Sequence, residues 1–192
     1  MKSKQKILIK IIVDSREKDL KWLSKFKFDK KYGTDKIMIL DYEIRKPFKC
    51  LDYKNNEIHT STGDIGIEYS LDDGLSWNKT NLSIELKRET DFSSTLYSSW
   101  TRFTNEIKRA LEYKLDFCVI YNQSTKQMYE HFDKLKYMHR ISKFSFPEKI
   151  VYDRMVELQK DYHIPMFYTH EIEEMVKRVI KHHIKQYKLQ YK

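Results

Sequence analysis

The chain has 192 residues, 37 Lys and Arg against 28 Asp and Glu, and a formal net charge of +9; at 40% hydrophobic residues it can build the core of one domain. Four glycines leave no G-x-G-x-x-G fingerprint and no G-x-x-x-x-G-K-S/T phosphate loop. Two cysteines, Cys50 and Cys118, without a C-x-x-C spacing argue against a disulfide framework or a zinc knuckle.

In chain order, Ile7–Val13 is Ile-rich and predicts a buried strand ending at Asp14. Lys10 interrupts it, it is too short to span a bilayer, and no small-residue cleavage site follows. The expectation is an intracellular, soluble domain in cytoplasm, nucleoid or nucleus, neither secreted nor in a membrane. Lys18–Phe28, with Leu20, Leu23 and Phe26 among basic residues, predicts a short amphipathic helix. Lys36–Glu43 predicts a second strand, and Pro47–Ser61 is ambiguous. Asp64–Ser70 alternates as a strand does, Asp72-Asp73-Gly74 signals a hairpin turn, and Leu82–Lys87 is the return strand. Asp91–Lys114 predicts one long helix, its apolar stripe running Phe92, Leu96, Trp100 or Phe103, Ile107 and Leu111. Leu115–Tyr121 predicts an internal strand, Gln127–Tyr137 a helix, and His139–Phe146 a connector. Glu148–Tyr162, Ile164–Thr169 and Glu171–Lys188 predict a closing helix, strand and helix. The class is α/β, a mixed β-sheet flanked by helices in a single domain.

The charge is uneven. Residues 1–50 carry +8, residues 51–100 carry −5, residues 101–150 carry +4 and residues 151–192 carry +2. Basic surface interleaved with 14 Tyr, 10 Phe and 3 Trp suits a polyanion such as nucleic acid, although a Lys-, Ile- and Tyr-rich codon bias gives the same composition.

The acidic block holds the informative residues. On a strand, Glu85 and Lys87 point to one face while Ile84 and Leu86 point to the other, so a carboxylate and an ammonium sit roughly 6–7 Å apart. Asp64 opens the partner strand of the same hairpin and can be brought beside Glu85. Two carboxylates without His or Cys form a hard oxygen site, suited to Mg²⁺ or Mn²⁺ rather than Zn²⁺. A neighbouring Lys can hold a water or stabilise charge on a phosphorus-centred transition state. Each string alone has an ordinary reading: E-x-K as a solvated pair, G-D as a turn, Asp91 as a helix N-cap. His182-His183 reads as a solvated helix face, since adjacent helical residues diverge by about 100°. His170 near a helix start is ordinary, and the aromatics of 144–152 read as core rather than base-stacking residues.

Together, Val13-Asp14-Ser15-Arg16-Glu17, Gly63-Asp64, and Glu85-Leu86-Lys87 followed by Asp91 resemble the nuclease domain of XPF-type structure-specific endonucleases, within the PD-(D/E)xK restriction-endonuclease-like superfamily. That family carries V-D-x-R-E, then G-D, then E-R-K-x-x-x-D. The resemblance implies a restriction-endonuclease-like fold and an Mg²⁺- or Mn²⁺-dependent endodeoxyribonuclease. It implies Asp64 and Glu85 as metal ligands, with Asp14 a further acid at the metal, directly or through water. Lys87 would position the attacking water. Arg16, with Glu17, would support the site or touch the scissile phosphate, and Asp91 would orient Lys87 or cap its helix. Leu86 replaces the family's Arg on the face turned from the site. Arg102, eleven residues after Asp91, stands near the place of a supporting Arg that the family puts at nine.

The expected organisation is one domain over 1–192: a core of about 7–121, a closing unit of 148–188, and a variable insertion of about 122–147. No Gly follows Gly74, so the family's helix–hairpin–helix module is not expected here. The implied partners are DNA, at branches, flaps or junctions, and a homodimer mate or partner protein. DNA repair or recombination, in a phage or mobile element, suits so compact a form. The rival reading is a non-catalytic DNA-binding or scaffolding subunit of the same fold, and a nuclease acting on RNA is a third.

Overall fold

The computed structural model describes residues 7–15, 23, 37–45, 49–51, 54, 56–59, 63–124, 126–128, 130, 131, 133, 134, 137 and 147–190. The strands are β1 (Ile7–Asp14), β2 (Ile37–Arg45), β3 (Lys49–Leu51), β4 (Glu57–His59), β5 (Ile65–Ser70), β6 (Asn78–Lys79), β7 (Leu82–Lys87), β8 (Asp116–Tyr121) and β9 (Met166–Tyr168). The helices are α1 (Glu89–Leu96), α2 (Trp100–Glu112), α3 (Pro147–Lys160) and α4 (Ile172–Gln190). One mixed sheet runs β2-β1-β5-β7-β8-β9, with β6 beside β5, and β3–β4 form a separate hairpin within the segment that the sequence leaves ambiguous. The expected α/β architecture, a mixed sheet flanked by helices, is the one observed.

The run ILIKIIVD makes β1 an interior strand, because it is apolar on both faces except at Lys10 and the terminal Asp14. It pairs in parallel with β2 and antiparallel with β5, and β7, β8 and β9 run parallel. Period-2 alternation divides the core. Ile9, Ile11, Val13, Ile65, Ile84, Cys118 and Ile120 pack with Val176, Ile180 and Ile184 of α4 on one face. Ile12, Phe117, Val119 and Tyr121 pack on the other with Leu96, Phe103, Ile107, Val151 and Leu158 of α1, α2 and α3. Leu86 packs with the α4 face, as its alternation with Glu85 and Lys87 requires.

Two expectations change. The long helix over Asp91–Lys114 is two helices, with a turn at Tyr97–Ser99. Ser98 Oγ and the Ser99 N–H both donate to the Ser94 carbonyl, closing the end of α1. Arg154, from α3, donates to the Leu96 and Tyr97 carbonyls at 2.7 Å each and lies 5.1 Å from the Trp100 ring. Those carbonyls are the ones a helix end leaves without internal partners. The stripe on α2 is accordingly Phe103, Thr104, Ile107 and Ala110, and Leu111 is exposed. The second change is His183, which is buried on α4 and pairs through Nδ1 with Asp116 at the start of β8; His182 is exposed as expected.

Of the amphipathic helix expected over Lys18–Phe28, the described residue is Leu23, helical and buried in the α4-side core. The connector His139–Phe146 lies outside the described residues. Among the described residues no helix is long and apolar enough to cross a membrane.

Scarce glycine shows at the helix ends. Lys114 (φ 51°) and His163 (φ 53°) are left-handed, and the next residue's N–H in each case reaches back to a helix carbonyl, Leu115 to Ala110 and Ile164 to Leu158, both at 2.9 Å. These closures ordinarily take Gly, whose missing Cβ removes the penalty of positive φ. Lys114→Gly and His163→Gly are each expected to raise stability by about 1 kcal/mol. Thermal unfolding checks this; an unchanged or lower midpoint refutes it.

Candidate active site

The strand directions bring the ends of β1, β7, β8 and β9 and the start of β5 to one edge of the sheet. Asp14 ends β1 and is 1% exposed; its N–H donates to the Asp64 carbonyl at 2.8 Å. Asp64 precedes β5, and its N–H donates to the Ile84 carbonyl at 2.7 Å. Its Oδ2 accepts from the Leu86 N–H at 2.8 Å. In return Glu85 Oε2 accepts from the Gly63 N–H at 3.0 Å. Three bonds thus clamp residues 63–64 to 84–86 at the point where strand pairing ends at Ile65 and Ile84.

Gly63 makes the clamp possible. Its φ is +86°, and a Cβ there would lie 2.1 Å from Ser83 Oγ. The Gly of the Gly63-Asp64 string therefore has a physical reason, since only a residue without a Cβ lets this backbone donor come so close to the Glu85 carboxylate.

Glu85 and Lys87 are 7% and 8% exposed, on the sheet face that α2 covers. Lys87 Nζ donates to Glu85 Oε1 at 2.5 Å and lies 5.1 Å from the Phe103 ring. Burial by itself pulls the Lys87 ammonium down. The charge and hydrogen bond of Glu85, with the charges of Asp64 and Glu106, outweigh it and hold the group above its ordinary value of 10.5. Lys87 is therefore a fixed cation among carboxylates.

Glu106, on α2, escapes motif reading. Burial, then the charge of Glu85, push its carboxyl above the ordinary 4.5, against the pull of Lys87, Arg102 and Arg109. Its sequence signal is its place beside the buried stripe, between Phe103 and Ile107. Tyr121 and Tyr168, the last residues of β8 and β9, belong to no motif either; their rings stack at 5.3 Å and 9°. Burial, then Tyr168 and Glu85, push the Tyr121 hydroxyl well above its ordinary value. That places Tyr121 within the field of Glu85.

The other expected residues sit as follows. Arg102 is on α2 with its side chain 76% exposed, its Nε 3.9 Å from Glu106 Oε1, so it approaches the site by way of Glu106. Asp91 is exposed at the third position of α1, not at its N-cap, and its N–H donates to the Arg88 carbonyl at 3.1 Å. Arg16 and Glu17 lie outside the described residues. The oxygen donors of Asp64 and Glu85 suit Mg²⁺, which keeps several waters and takes one or two protein carboxylates. Among the described residues, no three His, Cys, Asp or Glu side chains are grouped to hold a metal ion, so Asp14 does not close a three-carboxylate cage.

No protein-family model matches the chain, and comparison with curated proteins finds no match. Among solved structures it is similar to XPF from Aeropyrum pernix in complex with DNA, at 15% identity over 92% of this chain and a TM-score of 0.49. It is similar also to a second structure of XPF from Aeropyrum pernix, at 15% identity over 88% of this chain and a TM-score of 0.46. The chain spans 66% and 62% of those two chains.

Two outcomes follow. Gly63→Ala forces both the positive φ and the Ser83 contact, and is expected to cost about 2 kcal/mol or more; chemical denaturation measures it, and a wild-type midpoint refutes the clamp. A carboxyl with a raised folded-state pKa favours folding while protonated, and that contribution is lost as pH rises through it. Glu106→Gln is therefore expected to melt higher than wild type at pH 7, with the gap closing toward pH 4. A gap that widens with acid reverses the sign and refutes the assignment.

Proposed function

We propose that the chain is a metal-dependent endonuclease domain of the XPF type, with a restriction-endonuclease-like fold, that hydrolyses phosphodiester bonds in branched, flap or junction DNA inside the cell. One observation carries the reading: Asp64, Glu85 and Lys87, separated in sequence, meet at one sheet edge in the hard-oxygen and fixed-cation arrangement that phosphodiester hydrolysis needs. The motif order from Asp14 to Lys87 and the basic balance of +9 support it.

Asp64 and Glu85 would hold Mg²⁺ or Mn²⁺, which when bound supplies charge neutralisation at the phosphate and an activated water. The chain's own residues do the rest. The Gly63 and Leu86 N–H groups orient the two carboxylates. The Lys87 ammonium lies over the Phe103 ring and donates to Glu85, which together hold it in place. A fixed cation there stabilises the extra negative charge of a five-coordinate phosphorus transition state. Arg16, with Glu17, is proposed for the phosphate as the sequence resemblance implies, and Asp14 for an outer position at the metal. Assembly as a homodimer or with a partner protein would supplement a short DNA-contacting surface.

Among the described residues two carboxylates rather than three are grouped, which favours one second reading, a DNA-binding scaffold of the same fold. Labelled single-stranded, duplex, flap, fork and four-way-junction DNA, and an RNA duplex, are incubated with Mg²⁺, Mn²⁺ or EDTA. Cleavage is expected on branched DNA with metal. Asp64→Ala and Lys87→Ala should lower the rate roughly 100-fold or more while DNA binding persists. Binding without cleavage by the wild type supports the scaffold, cleavage of RNA alone moves the substrate class, and activity surviving both substitutions removes the site.

A further inference from the structure

Beyond the motif residues, the site edge carries buried polar atoms that lack partners. Gln123 is 1% exposed, and neither its carboxamide oxygen nor its nitrogen has a hydrogen bond. Ser15 Oγ and the Tyr168 hydroxyl are buried in the same condition. Ser15 follows Asp14 at the end of β1, Tyr168 ends β9, and Gln123 lies two residues past the end of β8. A folded chain rarely leaves such groups unmatched, because a buried polar atom without a partner loses its water and gains nothing in return. Ser15 lies three strands away, but Gln123 and Tyr168 end adjacent strands at this edge, and their unmatched groups point to a ligand there.

The turn that carries Gln123 is well built. The Asn122 N–H donates to the Lys87 carbonyl at 2.8 Å, which ties the turn to the end of β7. Ser124 and Gln127 form a capping box: the Gln127 N–H donates to Ser124 Oγ at 3.3 Å, and the Ser124 N–H donates to Gln127 Oε1 at 3.1 Å. The Met128 N–H reaches the Ser124 carbonyl at 3.1 Å, and Met128 is buried. With Ser124 as the cap, Gln123 stands at the position where such a motif favours an apolar residue packed against the fourth helical residue, here Met128. The chain puts a carboxamide where Leu or Met would be more stable.

We propose that Gln123 is a substrate-binding residue of the candidate active site, its carboxamide reserved for the phosphodiester backbone that occupies the site beside Lys87. Because the carboxamide is buried in the free protein, the NH₂ group donates to a backbone phosphate oxygen through one ordered water when nucleic acid arrives. The inference rests on the nuclease reading of that site. It predicts effects of opposite sign on the free protein and on the complex, which a merely structural glutamine would not give.

The test compares wild type with Gln123→Met and Gln123→Leu. Melting of the free proteins is measured, then affinity for a flap DNA with Ca²⁺ in place of Mg²⁺, then single-turnover cleavage with Mg²⁺. Both variants should melt higher than wild type by about 2–4 °C. Both should bind the flap about threefold to tenfold more weakly, the loss of roughly one hydrogen bond, and cleave more slowly. Variants that melt at or below wild type overturn the inference, since the amide is then paired in the free protein. Higher melting with unchanged affinity and rate also overturns it. If the wild type binds DNA without cleaving it, the nuclease reading falls, and the affinity comparison still decides Gln123. If it binds no flap DNA, both readings fall.

Discussion

The site depends on one backbone approach. Gly63 brings its N–H to Glu85 while Asp64 takes the N–H of Leu86, so two carboxylates are oriented by main-chain donors rather than by each other. Like charges brought together repel, and a low-dielectric setting strengthens that repulsion. Backbone donors and the Lys87 ammonium offset it. The bonds continue the sheet past the last paired residues of β5 and β7. Local architecture and candidate chemistry are therefore the same set of contacts.

The helical layer completes the arrangement. α2 lays Phe103 over Lys87 and brings Glu106 into its field, and it takes that course because the chain turns at Tyr97–Ser99. Arg154 satisfies the carbonyls exposed by that turn, so α3 holds the α1–α2 corner from the outside. An uninterrupted helix would have carried the stripe in another phase, with Leu111 inward.

Charge and glycine use have the same local logic. A −5 segment inside a +9 chain supplies Asp64 and the buried Glu85 where β5 and β7 meet. On the proposed function, such a pocket repels a phosphate backbone until a divalent cation lies between them. Gly is absent from the left-handed helix ends at Lys114 and His163, where the closure tolerates a side chain, and present at Gly63, where a Cβ would collide with Ser83.

Much of this was legible in the sequence. Strand alternation told which faces Glu85, Lys87 and Leu86 take, because period 2 is a property of the backbone. The Ile-rich β1, the hairpin return at β7 and the closing α3-β9-α4 unit were readable for the same reason. Tertiary structure alone decided the rest. The turn at Tyr97–Ser99 depends on Arg154, more than fifty residues away, and no local periodicity encodes a distant donor. The burial of His183 depends on Asp116 of another element. Glu106 and Tyr121 gain their relation to Lys87 only when α2 packs on the sheet and β8 pairs beside β7. The sequence by itself determined which chemical groups are present and which way each strand turns them; packing decided which of them share a site, because burial and electrostatic fields depend on distances in space rather than along the chain.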